Sequence, residues 1–182
     1  MLRQVISGGQ TGADQAGLIA AFNFGLDTGG TCPMNWETST GPNYLLLCFG
    51  LTAKGTLRTR TIDNIRNSDG TVLATLTPQS PGSILTRNQA REQNKPILEV
   101  DLNPLLTARA AGDTVGAAGN ALQEASKAVY EFVLKHRIAV LNVAGNRERT
   151  PEMTTTIGVC DVLRAAFMLL DQDDYILRDS DI

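Results

Sequence analysis

Glycines, hydroxyls and a few charged side chains gather in five short stretches of this chain, and their chemistry is that of anion binding. The first stretch is Val5-Ile6-Ser7-Gly8-Gly9-Gln10-Thr11-Gly12-Ala13-Asp14, a β-branched run that enters a glycine-rich turn and then a helix. Glycines let a backbone turn sharply with its N–H groups exposed, and the positive end of the following helix points at the same turn. No Gly-Lys-Ser/Thr follows, so this is not a Walker loop. As a dinucleotide fingerprint, Ser7-x-Gly9-x-x-Gly12 is one glycine short, and Asp27 is a poor ribose-binding acid. The same residues also suit a plain strand-to-helix connector capped by Thr11 or Asp14 that binds nothing.

Four further stretches fit the same chemistry. Gly29 to Pro33, Ser80 to Thr86 (with Gly82, Ser83 and Thr86) and Ala144 to Glu148 each follow an apolar run, as the first stretch does. Arg60 and Asn64 lie four residues apart on a helical segment, so they share a face and could address one ligand together. An arginine fork suits phosphate because it donates two parallel charge-assisted bonds; Arg58 points elsewhere, and a lone arginine is otherwise just solvated. Arg147 and Glu148 offer a cation and a carboxylate beside one another, or simply a surface pair. The ligand-binding candidates are therefore Gly8, Gly9, Gln10, Thr11, Gly12, Asp14, Arg60, Asn64, Gly82, Ser83, Thr86 and Arg147.

Support for catalysis is thin. Asp14 and Glu148 are the weak acid–base candidates, and a cap or Asx-turn role suits Asp14 and Asp69 equally well. His136 is the sole histidine and sits near a helix end. Cys32, Cys48 and Cys160 form no C-x-x-C pair, so neither a disulfide framework nor a zinc ribbon is indicated, and no metal site is expected.

The elements that must position these groups alternate between strand and helix. Strands are expected at Val5–Ser7, Leu26–Cys32, Thr71–Leu76, Pro96–Val100 and Ile138–Val143, with helices at Gln15–Phe24, Thr56–Asn67, Ser83–Asn94, Asn120–His136 and Pro151–Leu170. Met34 to Gly55 reads as a long structured loop in which Trp36 packs on the core, and Asn103 to Gly119 as a loop with one helical turn. Val115, Ala118, Leu122, Ala125, Val129 and Phe132 recur by three and four, a stripe that suits the core or a second copy of the chain. The expected architecture is one α/β, Rossmann-like, doubly wound domain over residues 1–170, mainly parallel with helices on both faces, followed by an acidic tail at 171–182. Ligands of such sheets lie beyond the carboxyl ends of the strands, where all these loops gather.

Composition sets the limits. With 182 residues, 42% hydrophobic and 19% charged, the chain suits one globular domain. A formal charge of −3 argues against holding a nucleic-acid polymer through a basic surface, and no apolar run is long enough to span a membrane. Cytoplasmic residence is the expectation.

Several segments together resemble the circularly permuted branch of the SLOG superfamily of Rossmann-like nucleotide-ligand domains, a branch also labelled molybdenum carrier proteins. They are Ile6-Ser7-Gly8-Gly9-Gln10-Thr11-Gly12-Ala13-Asp14-Gln15-Ala16-Gly17-Leu18, Thr28-Gly29-Gly30-Thr31-x-Pro33, Arg60-Thr61-x-x-Asn64-Ile65-x-x-Ser68-Asp69-Gly70-Thr71 and Asn142-Val143-Ala144-Gly145-x-Arg147-Glu148. The resemblance implies that the strand and helix from Ile138 onward match the unit that opens an unpermuted domain. It departs at Met34-Asn35, Leu57 and Asn146, where Lys-Gly, Tyr and Pro are usual.

Relatives include binders of nucleotide-derived ligands and hydrolases of nucleoside monophosphates. The hydrolases use an Arg and a Glu around a Pro-Gly-Gly-x-Gly-Thr turn; here the turn is Gly8-Gly9-Gln10-Thr11-Gly12 and its acid is Asp14. The expected function is thus binding of a phosphorylated nucleoside-derived molecule (a nucleotide, cyclic nucleotide or ADP-ribose type) by a carrier, sensor or sequestering protein. N-glycosidase-like hydrolysis and carriage of molybdenum cofactor are the alternatives. No cofactor is required beyond such a bound ligand, and the resemblance implies a homodimer or homotetramer.

Overall fold

The β-branched runs become the interior strands of a parallel sheet, because strands covered by helices on both faces must be apolar along their length. The computed structural model describes residues 1–148 and 152–179. In chain order the elements are β1 (Gln4–Ser7), α1 (Ala13–Phe24), β2 (Asp27–Cys32), the short antiparallel pair β3 (Glu37–Thr38) and β4 (Gly41–Pro42), β5 (Leu51–Ala53), α2 (Leu57–Arg66), β6 (Gly70–Thr75), α3 (Pro81–Glu92), β7 (Ile97–Asp101), α4 (Asn103–Ala110), α5 (Ala117–His136), β8 (Val140–Gly145) and α6 (Thr154–Asp179).

The main sheet runs β5-β2-β1-β8-β6-β7, and every pair in it is parallel. Alternate residues point to opposite faces. Val5, Val72, Ala74, Leu141 and Val143 meet Ala16, Val129, Phe132, Val159, Leu163 and Phe167 of α1, α5 and α6 in the larger core. Helices α2 and α3 pack together on the other face, where Ile65 and Leu73 are buried. This is the expected doubly wound α/β arrangement.

Two features fix where a ligand crevice falls. From β1 the chain moves outward through β2 to β5, and from β6 outward to β7, so the order reverses at the centre of the sheet. There β8 is inserted between β1 and β6, with Ile6 opposite Asn142 and Thr71 opposite Asn142 on its other side.

The structure also corrects the expected elements. Within 34–55 lie 3-10 turns at Met34–Trp36 and Tyr44–Phe49, and β5 adds an edge strand that three residues are too few to reveal by periodicity. Asn103 to Ala110 is a full helix rather than one turn. Helix α5 begins at Ala117 instead of Asn120, because the Asp113 carboxylate accepts from the N–H groups of Val115, Gly116 and Ala117 at 3.1, 2.7 and 2.7 Å. Helix α6 continues through 171–179 of the stretch 171–182 expected as a tail, while the rest of that stretch and the helix start expected at Pro151 lie outside the described residues. No described helix is long and apolar enough to cross a membrane.

Candidate functional site

The turn after β1 is built for close approach. A methyl group at Gly8 would fall 1.3 Å from Arg60 Nη1, so the guanidinium reaches from α2 and lies directly on the Gly8 backbone. Any other residue here would expel it. Gly12 holds φ at +84° as the residue before α1, and a methyl group there would strike the backbone of Asn146 and Glu148 at 2.5 Å. The Ala13 N–H donates to the Asn146 carbonyl at 3.1 Å, which fastens the glycine turn to the loop after β8.

Arg60 pairs with Asp14, and the two side chains are only 14% and 4% exposed. The same Asp14 oxygen accepts the Gln10 N–H at 3.2 Å, so one carboxylate oxygen gathers a guanidinium and a loop amide. Two buried polar atoms nearby have no partner among the described residues: Arg60 Nε and Ser7 Oγ. The turn is closed from above as well. Gln10 Oε1 accepts from Thr11 N at 3.2 Å and Ser39 N at 2.6 Å, Thr11 and Ser39 hydroxyls meet at 2.5 Å, and Leu46 and Leu51 lie over Gly9. Gln15 Nε2 donates to the Gly9 carbonyl at 3.1 Å.

The remaining candidates divide between the scaffold and the exposed surface. Asn64 shares the Arg60 face as expected, but its amide clamps the Thr31 backbone, accepting its N–H at 2.8 Å and donating to its carbonyl at 2.9 Å. Ser83 is buried and bonds the Ser80 hydroxyl at 2.8 Å, while the Thr86 hydroxyl donates to the Gly82 carbonyl inside α3. Gly82 and Arg147 are exposed. Glu148 accepts from the N–H and hydroxyl of Thr156 at 2.9 and 3.1 Å, a cap on the first turn of α6. Arg58 is exposed and Arg66 bonds Asp63 at 3.0 Å, so neither joins the site.

Asn146 was not among the expected site residues, yet it joins three loops. Its Oδ1 accepts from Leu76 N and Thr77 N at 2.6 and 3.0 Å, and its Nδ2 reaches Ser80 Oγ at 3.4 Å. Its signal in the sequence was its standing where proline is usual. Ser39 and Leu46 carry no site signal in the sequence, one being a Ser in a Thr-Ser-Thr-Gly turn and the other a Leu in an apolar run. Cys32 is buried beside this region; desolvation raises its thiol pKa, against weaker lowering by a backbone hydrogen bond and the Arg60 charge. Burial pushes Cys160 further, to about 11.

A cation lying on a glycine turn at the reversal point of a parallel sheet defines a doubly wound α/β ligand-binding domain. The particular family follows from sequence: residues 5–164 match the Circularly permutated YpsA SLOG family, and the chain belongs to it. Similar solved structures include the 1.45 Å crystal structure of a "putative molybdenum carrier protein" from Syntrophus aciditrophicus. It is 29% identical with a TM-score of 0.73, over 91% of this chain and 94% of that one. No curated protein matches the chain significantly.

Proposed function

We propose that this protein binds a phosphorylated, nucleoside-derived small molecule beyond the carboxyl ends of β1 and β8, as a carrier, sensor or sequestering protein. The carrying observation is the contact between the Arg60 guanidinium and the Gly8 backbone. A cation set against a glycine backbone with no side chain between them is what a phosphate needs, since the fork gives charge and direction and the glycine lets both approach one point. The α3 N-terminus, capped by Ser80 and tied to Asn146, borders the same crevice and favours negative charge there.

Binding without catalysis is the favoured reading because both acid candidates already have structural work. Asp14 is paired with Arg60, and Glu148 holds the start of α6. A molybdenum-containing cargo is the second reading, supported by the name of the Syntrophus aciditrophicus neighbour. The described residues include no group of three or more His, Cys, Asp or Glu side chains placed to hold a metal ion. Such a cargo would be gripped through anionic groups rather than by direct side-chain ligation of the metal. Residence in the cytoplasm, where three free thiols persist, and assembly as a homodimer or homotetramer belong to the same proposal.

Thermal unfolding with a ligand panel tests it. Nucleoside monophosphates, cyclic nucleotides, ADP-ribose, molybdate and molybdopterin are each added in excess. A ligand at a hundred times its Kd adds about 2.7 kcal/mol of stability, a readily measured rise in Tm. A rise with a phosphorylated nucleoside supports the first reading and a rise with molybdate or molybdopterin alone supports the second. No rise with any of them overturns both.

A further inference from the structure

Asp14 stands where a bound anion would stand. Its Oδ2 collects the Gln10 N–H of the glycine turn and Nη1 of Arg60 from α2, two donors suited to any negative group, and the carboxylate is almost wholly buried. The guanidinium is nonetheless underused. Its single hydrogen bond among the described residues runs through Nη1, and Nε is buried without a partner. Nε–H and Nη2–H form the side edge of the fork, the edge that takes two oxygens of one oxyanion. Ser7 Oγ, one residue before Gly8, is a second buried polar atom with no partner among the described residues.

We propose that Asp14 is an internal anion standing at the phosphate position, and that the ligand binds by exchange, its phosphate displacing Asp14 from Arg60 and the Gln10 amide. The inference rests on the functional reading above and narrows it. A carboxylate carries one charge, and so does a phosphodiester, which therefore gains little by replacing Asp14. A terminal phosphate monoester carries close to two charges near neutral pH and three acceptor oxygens, so it can engage the fork's side edge as well. The exchange selects monoesters over cyclic nucleotides. Displaced Asp14 remains in the first turn of α1, where the helix N-terminus favours its charge.

Titration calorimetry of the intact chain with inorganic phosphate, AMP and cyclic AMP tests the exchange, using wild type, Asp14→Asn and Arg60→Gln. The amide keeps the shape of Asp14 but cannot compete as an anion. Wild type should bind AMP at least tenfold more tightly than cyclic AMP. Asp14→Asn should bind phosphate and AMP at least tenfold more tightly than wild type, with a narrower preference between the two nucleotides, and Arg60→Gln should bind none of them. Equal or weaker phosphate binding by folded Asp14→Asn overturns the exchange. If AMP still binds wild type in that case, the functional reading stands without it; if no phosphorylated ligand binds either protein, both fall. Should Asp14→Asn fail to fold, NMR of wild type decides: added phosphate should shift the Arg60 Nε–H and Gln10 amide resonances, and stationary resonances overturn the proposal.

Discussion

Asn64 and Arg60 occupy one face of α2, one turn apart, and the structure gives them different tasks. Arg60 crosses to the glycine turn, while Asn64 uses both ends of its amide on the backbone of Thr31. Replacing Asn64 by Ala leaves a strand N–H and carbonyl without partners in a position only 2% exposed. Each buried group so orphaned costs about 1–3 kcal/mol. Urea unfolding of Asn64→Ala should show a loss of about 2–6 kcal/mol with an unchanged m-value; a loss within about 0.5 kcal/mol would mean that water replaces the clamp. The pair's shared face was legible because four-residue spacing fixes it. Its partners were not, since a guanidinium and an amide suit a ligand and a neighbouring backbone equally well. The same ambiguity hid the capping role of Glu148, a carboxylate that reads alike as acid, ion-pair partner or helix cap.

Among the elements, strand and helix order was readable from apolar runs and three-four periodicity, and the boundaries failed where tertiary contacts decide them. The start of α5 is the clearest case. Asn120 and Gln123 imitate a capping box, but Asp113 reaches across the preceding turn and gathers three N–H groups, so the helix starts three residues earlier. Those hydrogen bonds, led by the Ala117 and Gly116 amides, hold the Asp113 carboxyl below its ordinary pKa despite an opposing desolvation effect. A pKa depressed on folding contributes stability above the unfolded value, near 3.9, and loses it as pH falls through the lower folded value. Hydrogen exchange should therefore show the amides of Val115, Gly116 and Ala117 losing protection in Asp113→Ala at neutral pH, with the interior of α5 unchanged. Wild type should show the same local loosening only below about pH 4. Unchanged protection in the variant would assign the start of α5 to packing of Ala118 instead. The stripe on this helix resolves the same way: Ala118, Val129 and Phe132 lie in the core, and Val115, its first member, is exposed.

For the whole molecule, the strand reached last along the chain is the one at its centre. β8 pairs with β1 on one side and β6 on the other, and Ile6 must find Asn142 across most of the sequence. The first residues lie beside the helix that follows β8, since Met1 and Leu2 share a cavity with Phe167, Leu170 and Asp171. Permutation thus preserves the packed order β8-α6-β1 while cutting its covalent continuity. A chain that begins at Arg137, runs through residue 182 and a linker of about ten Gly and Ser residues to Met1, and ends at His136 restores that continuity. The linker reaches about 17 Å, enough to return from the end of α6. The opening falls between two exposed residues just past α5. The two ligand-site loops are untouched, so circular dichroism should match wild type and Tm should lie within about 8 °C. The kinetic consequence separates the two pairings of β8. Moving β8 ahead of β1 makes the β8-β1 pair local, but the same cut carries β8 away from β6, and α6 away from α5, so the gain in local contacts on one side is offset on the other. Stopped-flow refolding of the permuted chain should therefore run at a rate close to that of the native chain at matched stability. A large acceleration would show that pairing of β8 with β1 defines the rate-limiting step, and a large slowing that pairing of β8 with β6 does.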